Sequence, residues 1–243
     1  FDYYPKIYSD DNDDYDLVEY VEEVEEPKEQ KISDLIEIVS LLHNKTTHYK
    51  DVDEDDYKKI YQNDKNNIEY LTEYYNDMME IIESKVFMSP SEYFLAQNIS
   101  KIYGSLNYCN REIEKWYEII SKKRKQRFVV LHNNLELSHF IKNKNAYLLN
   151  WEQPRIDIPI FDLYKLYKRH ALDFDFVSLL KQYEKNYPLL EEERLLFFIL
   201  ISLPERLEFD DNDLKLCIKF SKVLEYMYKT ENLLSPYYAE NRK

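Results

Sequence analysis

The sequence predicts an α+β protein that is mostly helical. Long stretches in which apolar residues recur at helical spacing occupy most of its 243 residues. Strand-like runs are confined to the beginning of the chain and to one segment near its middle. No internal repeat and no Gly/Ser-rich linker divides the sequence, which is long enough to bury a substantial core.

The helices follow from periodicity and from start and stop signals along the chain. The first is predicted over residues 33–44, with Ser33 as its N-cap, and a loop is predicted over residues 45–56. Residues 56–83 are predicted to form one long helix or a pair of helices, and further helices are predicted over residues 91–120, 163–171, 175–183, 191–203 and 212–229. Gly104 lies inside one of them, where we expect close packing to be the reason for a glycine. We expect the tail from Leu233 to be loosely held.

A unit of two strands joined by a loop, near the middle of the chain, carries the residues that could take part in catalysis or metal binding. The apolar run 128–131 leads into a loop that begins at His132 and contains Asn134. A second apolar run follows His139, and the step Asn-Trp-Glu comes at residues 150–152.

This layout resembles the catalytic and metal-binding loops of the aminoglycoside phosphotransferase and choline kinase branch of the protein-kinase-like fold. There the first loop is His-Gly-Asp, four residues and Asn, and the second is close to Ile-Asp-Trp-Glu. The two Asp positions hold Asn134 and Asn150 here, and the Asn position holds His139. The resemblance implies that Asp162 opens a buried helix and braces the first loop, and that His132 has a structural role beneath it.

The beginning of the chain extends the resemblance. Residues 4–8 and 15–22 are strand-like and flank an acidic turn, as in the last hairpin of the family's small lobe. Glu19, Tyr20 and Val21 would then form the hinge, whose backbone groups bind adenine in the family.

The resemblance therefore implies a division into residues 1–26, the end of a small lobe with its hinge, and residues 27–243, a helical large lobe. The family's phosphate-covering glycine loop, its phosphate-gripping Lys and its Glu-bearing helix have no match in a sequence whose only glycine is Gly104. We expect the chain to be a fragment of a longer protein.

The replaced residues bear directly on activity. Phosphoryl transfer depends on positioning and on neutralising phosphate charge with Mg²⁺, which prefers carboxylate oxygens. The amide of Asn150 carries no charge, the amide of Asn134 is no general base, and His139 suits Mg²⁺ badly. Together with the resemblance, these replacements predict a pseudokinase that acts as a scaffold or partner-binding module. It would have an unknown protein partner, and no ATP, magnesium or other metal as cofactor.

Two alternatives remain open. In an atypical ATP-dependent small-molecule phosphotransferase, Glu152 would bind the metal and Glu136 or Asp157 would take the proton, with ATP and Mg²⁺ as cofactors. Each of these carboxylates has a plainer explanation, as a loop brace or as a solvated or salt-bridged side chain. In a helical adaptor unrelated to kinases the match would be accidental, since apolar runs around a polar loop describe any hairpin.

A narrower resemblance links residues 131–135 and 156–165 to spore-coat-associated kinase-like proteins of low-GC bacteria. It implies a role in sporulation or coat assembly. Abundant Tyr, Asn, Lys and Ile with scarce Gly also indicate an AT-rich bacterial coding sequence.

Composition limits the partners and the compartment. A formal net charge of −14 disfavours nucleic acid and anionic membranes as partners. The basic run 122–127 is the exception, and we expect it to be a solvated helix end rather than a site for an anionic ligand or an acidic partner. Cys109 and Cys217 have no metal-site spacing and are expected to be free thiols. Without a signal peptide or membrane span in the sequence, the prediction is a cytoplasmic protein.

Overall fold

The computed structural model describes residues 3–8, 17–151, 153–209 and 212–240, with side chains up to residue 238. Helices dominate, which confirms the predicted α+β, mostly helical class. The elements are α1 (Lys28–Thr46), β1 (His48–Asp51), α2 (Glu54–Glu83), α3 (Pro90–Ile120), β2 (Lys125–Leu131), β3 (Phe140–Lys142), β4 (Ala146–Leu148), β5 (Arg155–Asp157), α4 (Ile160–His170), α5 (Phe176–Asn186), α6 (Glu191–Ser202) and α7 (Asp213–Glu240).

The chain forms two compact units that interleave along the sequence. The loop-bearing unit comprises residues 1–50, 127–170 and 174–190. The four-helix unit comprises residues 51–126, 171–173 and 191–243. These units are defined by packing, so the division into lobes predicted at residues 26 and 27 stays a prediction.

Helix α1 forms much of the core of the loop-bearing unit. Its residues Leu35, Val39 and Leu42 are fully buried. The helix begins at Lys28, directly after Pro27, so the predicted start at Ser33 was wrong. Ser33 lies inside the helix, and its hydroxyl donates a hydrogen bond of 2.9 Å to the side chain of Gln182 on α5.

Two small sheets position the central loops. Strand β2 lies between β1 and β5, and it pairs antiparallel with β5 so that Val130 faces Ile156. Strands β3 and β4 form a separate antiparallel hairpin in which Phe140 faces Leu148. The strand before the His132 loop therefore pairs with β5 and not with the run after the loop. The predicted loop over residues 45–56 was wrong in part, because residues 48–51 pair with β2 as strand β1.

At the start of the chain, two extended segments lie side by side. Ile7 and Val18 form an antiparallel bridge, and the Tyr8 N–H donates to the Leu17 carbonyl at 2.7 Å. The acidic turn and the first part of the predicted second strand fall in residues 9–16, outside the described residues.

The four-helix unit consists of α2, α3, α6 and α7. Helix α3 begins with a capping box in which Ser89 and Glu92 satisfy each other's backbone N–H groups, as the Ser-Pro-Ser-Glu sequence predicts. Trp116 and Tyr75 are buried in this unit, and the Tyr75 hydroxyl donates to the Glu205 carbonyl at 2.5 Å.

Two predictions for this unit were wrong. Helix α7 continues through Pro236 to Glu240, and Leu233 is only 1% exposed, so its apolar side chain anchors the segment that was predicted to be loose. Gly104 has solvent beside it: a Cβ atom added there would meet nothing within 4 Å. Close packing therefore does not explain this glycine.

The basic run 122–127 is a solvated helix end only in part. Helix α3 ends at Ile120, and the last part of the run belongs to β2. Lys122, Arg124 and Lys125 are exposed, as expected for a solvated run. Lys123 forms an ion pair with the buried carboxylate of Glu192, and the Arg127 guanidinium lies 4.0 Å from the centroid of the Tyr187 ring, so these two cations serve packing.

None of the described helices has the length and apolar character needed to cross a membrane.

Candidate functional site

The Asp162 carboxylate lies beneath the loop that begins at His132. The backbone N–H groups of His132 and Asn133 donate to its two oxygens at 2.9 and 2.7 Å. Asp162 is the third residue of α4 and is fully buried. Hydrogen bonds to a buried carboxylate are charge-assisted and strong, so this side chain fixes the start of the loop. Asp162 thus makes the bracing contacts that the resemblance implied.

His43 completes this brace from α1. Its Nε2 atom lies 3.3 Å from Asp162 Oδ2, and its Nδ1 atom lies 2.7 Å from the Tyr183 hydroxyl. An Nε2–H that donates to Asp162 leaves Nδ1 free to accept the Tyr183 proton. This role of His43 is not predictable from the sequence, because nothing in local spacing connects the last turn of α1 with α4 and α5.

His132 supports the loop from within. Its Nε2–H donates to the Leu149 carbonyl at 2.7 Å, and its Nδ1 accepts the Asn134 N–H at 3.3 Å. The Trp151 ring packs edge-on against it at 4.7 Å between centroids. Burial lowers the pKa of His132, which favours the neutral ring that this donor and acceptor pattern requires. These contacts are structural, as the resemblance implied for His132.

Asn134 contacts His139 through its backbone carbonyl and Arg169 through its side chain. His139 Nδ1 donates to the Asn134 carbonyl at 2.8 Å. The Asn134 side-chain oxygen lies 3.4 Å from the Arg169 guanidinium, which also donates to the Leu135 carbonyl at 2.8 Å. The atom at the expected position of a general base is therefore an amide oxygen beside a cation.

Asn150 and Asn133 both have left-handed backbone, with φ of 56° and 63°. Asparagine adopts this conformation more readily than most residues. The Asn150 side chain is exposed. Asn133 links the two loops, because its amide donates to the Gln153 carbonyl at 3.0 Å and its amide oxygen accepts from Lys165 Nζ at 2.6 Å. Glu152 lies outside the described residues.

The carboxylates considered as replacement bases are engaged in ion pairs. Glu136 lies 2.9 Å from the Arg169 guanidinium, and its other oxygen lies 3.3 Å from His170 Nε2. Asp157 lies 3.1 Å from the Arg155 guanidinium and also accepts a backbone N–H at 2.8 Å. The contacts of both agree with the plainer explanation, salt-bridged side chains.

Comparison with solved structures decides the fold. The backbone is similar to the crystal structure of an aminoglycoside phosphotransferase from Alicyclobacillus acidocaldarius, with a TM-score of 0.63 and 11% sequence identity. That match covers 96% of this chain and 77% of the other. The chain has the aminoglycoside phosphotransferase fold. The kinase-like fold implied by the resemblance is thereby confirmed, and at this identity the match shows the fold alone.

Two structures of a spectinomycin phosphotransferase are also similar. One contains AMP, with 12% identity, a TM-score of 0.48 and coverage of 87% of this chain and 71% of that one. The other contains ADP and spectinomycin, with 13% identity, a TM-score of 0.43 and coverage of 84% and 66%. These scores are too low to support an argument. No protein-family model matches this sequence, and no curated protein matches it.

Members of this fold that transfer phosphate use Mg²⁺, and the described residues at the expected positions do not fit this ion. Asn134 presents a neutral oxygen beside a guanidinium, and Asn150 presents a neutral amide. Within the described residues, which exclude Glu152, no group of three or more His, Cys, Asp or Glu side chains is placed to hold a metal ion.

The three hinge candidates follow Val18, on the second of the two extended segments at the start of the chain. The Glu19 N–H already donates to the Lys6 carbonyl at 2.8 Å, and the Tyr20 side chain is 89% exposed. Val21 is half-buried. Just beyond them, the Glu22 carbonyl accepts from the Asn143 side chain at 2.9 Å, which ties the segment to the β3–β4 hairpin. Adenine binding at these residues stays a prediction.

Proposed function

We propose that this protein is a pseudokinase: a catalytically impaired member of the aminoglycoside phosphotransferase fold that serves as a scaffold or partner-binding module. In this proposal it uses neither ATP nor Mg²⁺ as a cofactor, and its partner is another protein. The cytoplasm is the proposed compartment.

The observation that carries the proposal is the setting of Asn134. Its amide oxygen faces the Arg169 guanidinium, and its backbone N–H and carbonyl are bonded to His132 and His139. A general base must accept a proton, and an amide oxygen beside a fixed positive charge is poorly suited to do so. The same amide oxygen lacks the negative charge that Mg²⁺ prefers in its ligands.

The contacts of the nearby carboxylates also weigh against displaced catalysis. To act as bases, Glu136 would have to leave Arg169 and His170, and Asp157 would have to leave Arg155. The alternative of an atypical phosphotransferase therefore depends on Glu152 for its metal and on a base that is already paired.

Nucleotide binding by the full-length protein tests the proposal. Thermal unfolding is measured with ATP alone, with Mg²⁺ alone and with both, alongside a phosphate-release assay. We expect no magnesium-dependent stabilisation by ATP and no turnover. Stabilisation that requires both ligands, accompanied by turnover that Glu152→Gln abolishes, would establish the atypical enzyme instead. A shift with ATP alone would make the protein a nucleotide-binding scaffold.

Restoring the carboxylates tests the reason for inactivity. The double variant Asn134→Asp/Asn150→Asp should gain Mg²⁺-dependent stabilisation that the wild type lacks. Its matched control is Asn66→Asp/Asn67→Asp, which makes the same charge change on the exposed face of α2. Equal responses of the two double variants to Mg²⁺ would show that the replaced amides are not the obstacle.

We further propose, from the narrower resemblance alone, that the protein works in sporulation or coat assembly. Its abundance should then rise in sporulating cells of the source bacterium, as measured by quantitative immunoblotting. An equal abundance in growing and sporulating cells would contradict this setting.

A further inference from the structure

Three cations form a row along one face of α4, beside the His132 loop. Lys165 and Arg169 are four residues apart on this helix and so lie on the same face. Arg155 reaches this face from β5, because its guanidinium lies 5.3 Å from the ring centroid of Phe161, one turn before Lys165. Phe161, Lys165 and Arg169 follow one another at intervals of one helical turn, so the three positive groups lie along the same face.

The charges in this row are only partly balanced. Arg155 is paired with Asp157 at 3.1 Å, and Arg169 is paired with Glu136 at 2.9 Å. Lys165 Nζ donates to the backbone and side-chain oxygens of Asn133, at 3.1 and 2.6 Å, and neither oxygen carries a formal charge. Among the described residues, the row thus sets three cations against two carboxylates, apart from the buried Asp162, which has its own donors.

The pKa of Lys165 agrees with an excess of positive charge in this row. The pKa of its ammonium is lowered, first by burial and then by the positive charges of Arg155 and Arg169, although Asp162 acts in the opposite direction. An anion bound at the row would offset this repulsion. In a protein with a net charge of −14, such a concentration of positive charge is a local exception.

We propose that Lys165, together with Arg155 and Arg169, binds the phosphate group of a ligand directly, without a metal ion. The planar guanidinium matches phosphate oxygens in pairs, and a lysine ammonium adds a point charge. This inference rests on the proposed function: where the amide of Asn150 replaces a metal-binding carboxylate, cationic side chains are left to neutralise a phosphate. It gives the scaffold a ligand class, a phosphorylated partner or a small phosphate compound.

Calorimetric titration of the full-length protein with inorganic phosphate and with pyrophosphate, in EDTA and at constant ionic strength, tests the inference. We expect saturable binding. Lys165→Met and Arg155→Gln should each weaken it by about tenfold or more, since each removes a charged hydrogen bond. Asp157→Asn should strengthen it, because Arg155 loses its competing carboxylate. The matched control is Lys101→Met, the same charge change at an exposed position on α3, which should bind like the wild type.

Absence of saturable heat would overturn the inference, and so would equal weakening by Lys165→Met and Lys101→Met. Thermal melts check that each variant is folded. If Lys165→Met does not fold, the affinity of Arg155→Gln for phosphate decides the test. A phosphoserine peptide that binds more tightly than inorganic phosphate would identify a protein source for the phosphate, whereas equal affinity would identify a small compound. Turnover with Mg²⁺ and ATP would refute the proposed pseudokinase function. Absence of phosphate binding in EDTA would refute only the phosphate site proposed around Lys165.

Discussion

At the scale of single residues, the central loop keeps its shape through one buried side chain beneath it. Asp162 accepts two backbone N–H groups from the loop and is held in turn by His43. The role of Asp162 was predictable because its step follows the second loop at the family's spacing. The roles of His43, Lys165 and Arg169 were not, because their contacts depend on how distant segments pack and leave no periodic signal in the sequence.

Loss of the Asp162 carboxylate should destabilise the protein severely. Asp162→Ala leaves two buried N–H groups and the His43 ring without their acceptor, and each such loss costs about 1–3 kcal/mol. We therefore expect the free energy of unfolding in urea to fall by about 3–5 kcal/mol. Asp77→Ala, at an exposed position on α2, is the control and should change it by less than about 0.5 kcal/mol. Similar values for the two variants would contradict the bracing role.

Asp64 on α2 should make stability depend on pH in an unusual direction. Burial raises its pKa from 3.8 to about 6, and its Oδ2 atom is buried with no hydrogen-bond partner among the described residues. A raised carboxyl pKa means that the folded state binds the proton more tightly than the unfolded state. Its contribution to the free energy of unfolding is therefore greatest below pH 3.8 and is lost as the pH rises to about 6.

Asp64→Asn isolates this contribution from the other carboxylates. The variant should be more stable than the wild type by about 1–3 kcal/mol at neutral pH, and this advantage should shrink steadily as the pH falls toward the unfolded pKa. Urea unfolding at several pH values measures it, with Asp77→Asn as the control. An advantage that does not change with pH would show that Asp64 is not the titrating group.

At the scale of elements, periodicity located all seven α-helices of the described residues, and the errors fall where tertiary contacts decide. Helix α1 begins at Lys28 because Pro27 precedes it and Ser33 is used for packing against α5. Strand β1 forms in a polar segment because β2 offers it backbone partners. Helix α7 continues past its predicted end because Leu233 and Leu234 are buried. Hydrophobic spacing reports none of these partners.

Gly104 in α3 should be replaceable with a gain in stability. A Cβ atom at this position meets nothing within 4 Å, so an alanine adds no clash. Alanine also restricts the unfolded chain and favours the helix by about 0.5–1 kcal/mol relative to glycine. Gly104→Ala should therefore raise the free energy of unfolding by that amount in urea titrations. A decrease would mean that the glycine serves a contact outside the described residues.

At the scale of the whole molecule, the fold class and the kinase-like architecture were predictable, and the arrangement into two interleaved units was not. The motif order around His132, Asn150 and Asp162 carried the family resemblance, and the structural comparison confirmed the fold at 11% identity. The way residues 127–170 and 174–190 join the first 50 residues in one unit follows from contacts between segments far apart in sequence. Such contacts become visible only in three dimensions.

The net charge of −14 predicts that the whole molecule does not bind duplex DNA. Fluorescence anisotropy of a labelled duplex should remain constant as protein is added at physiological salt. A lysine-rich peptide, titrated in parallel, shows that the assay detects binding. A rise in anisotropy that weakens with added salt would mean that the cations around Lys165 outweigh the charge of the rest of the surface.

The support of the loop by Asp162 has a consequence for how chaperones and proteases in the cell respond to such a protein. Asp162 holds the loop through backbone N–H groups. Loop side chains that do not contact Asp162 can therefore be exchanged without unfolding the loop. Chaperones and proteases respond to exposed apolar chain and not to missing chemistry. A copy without catalytic groups would thus persist at the same level as a copy that has them, and it could compete with it for the same binding partners.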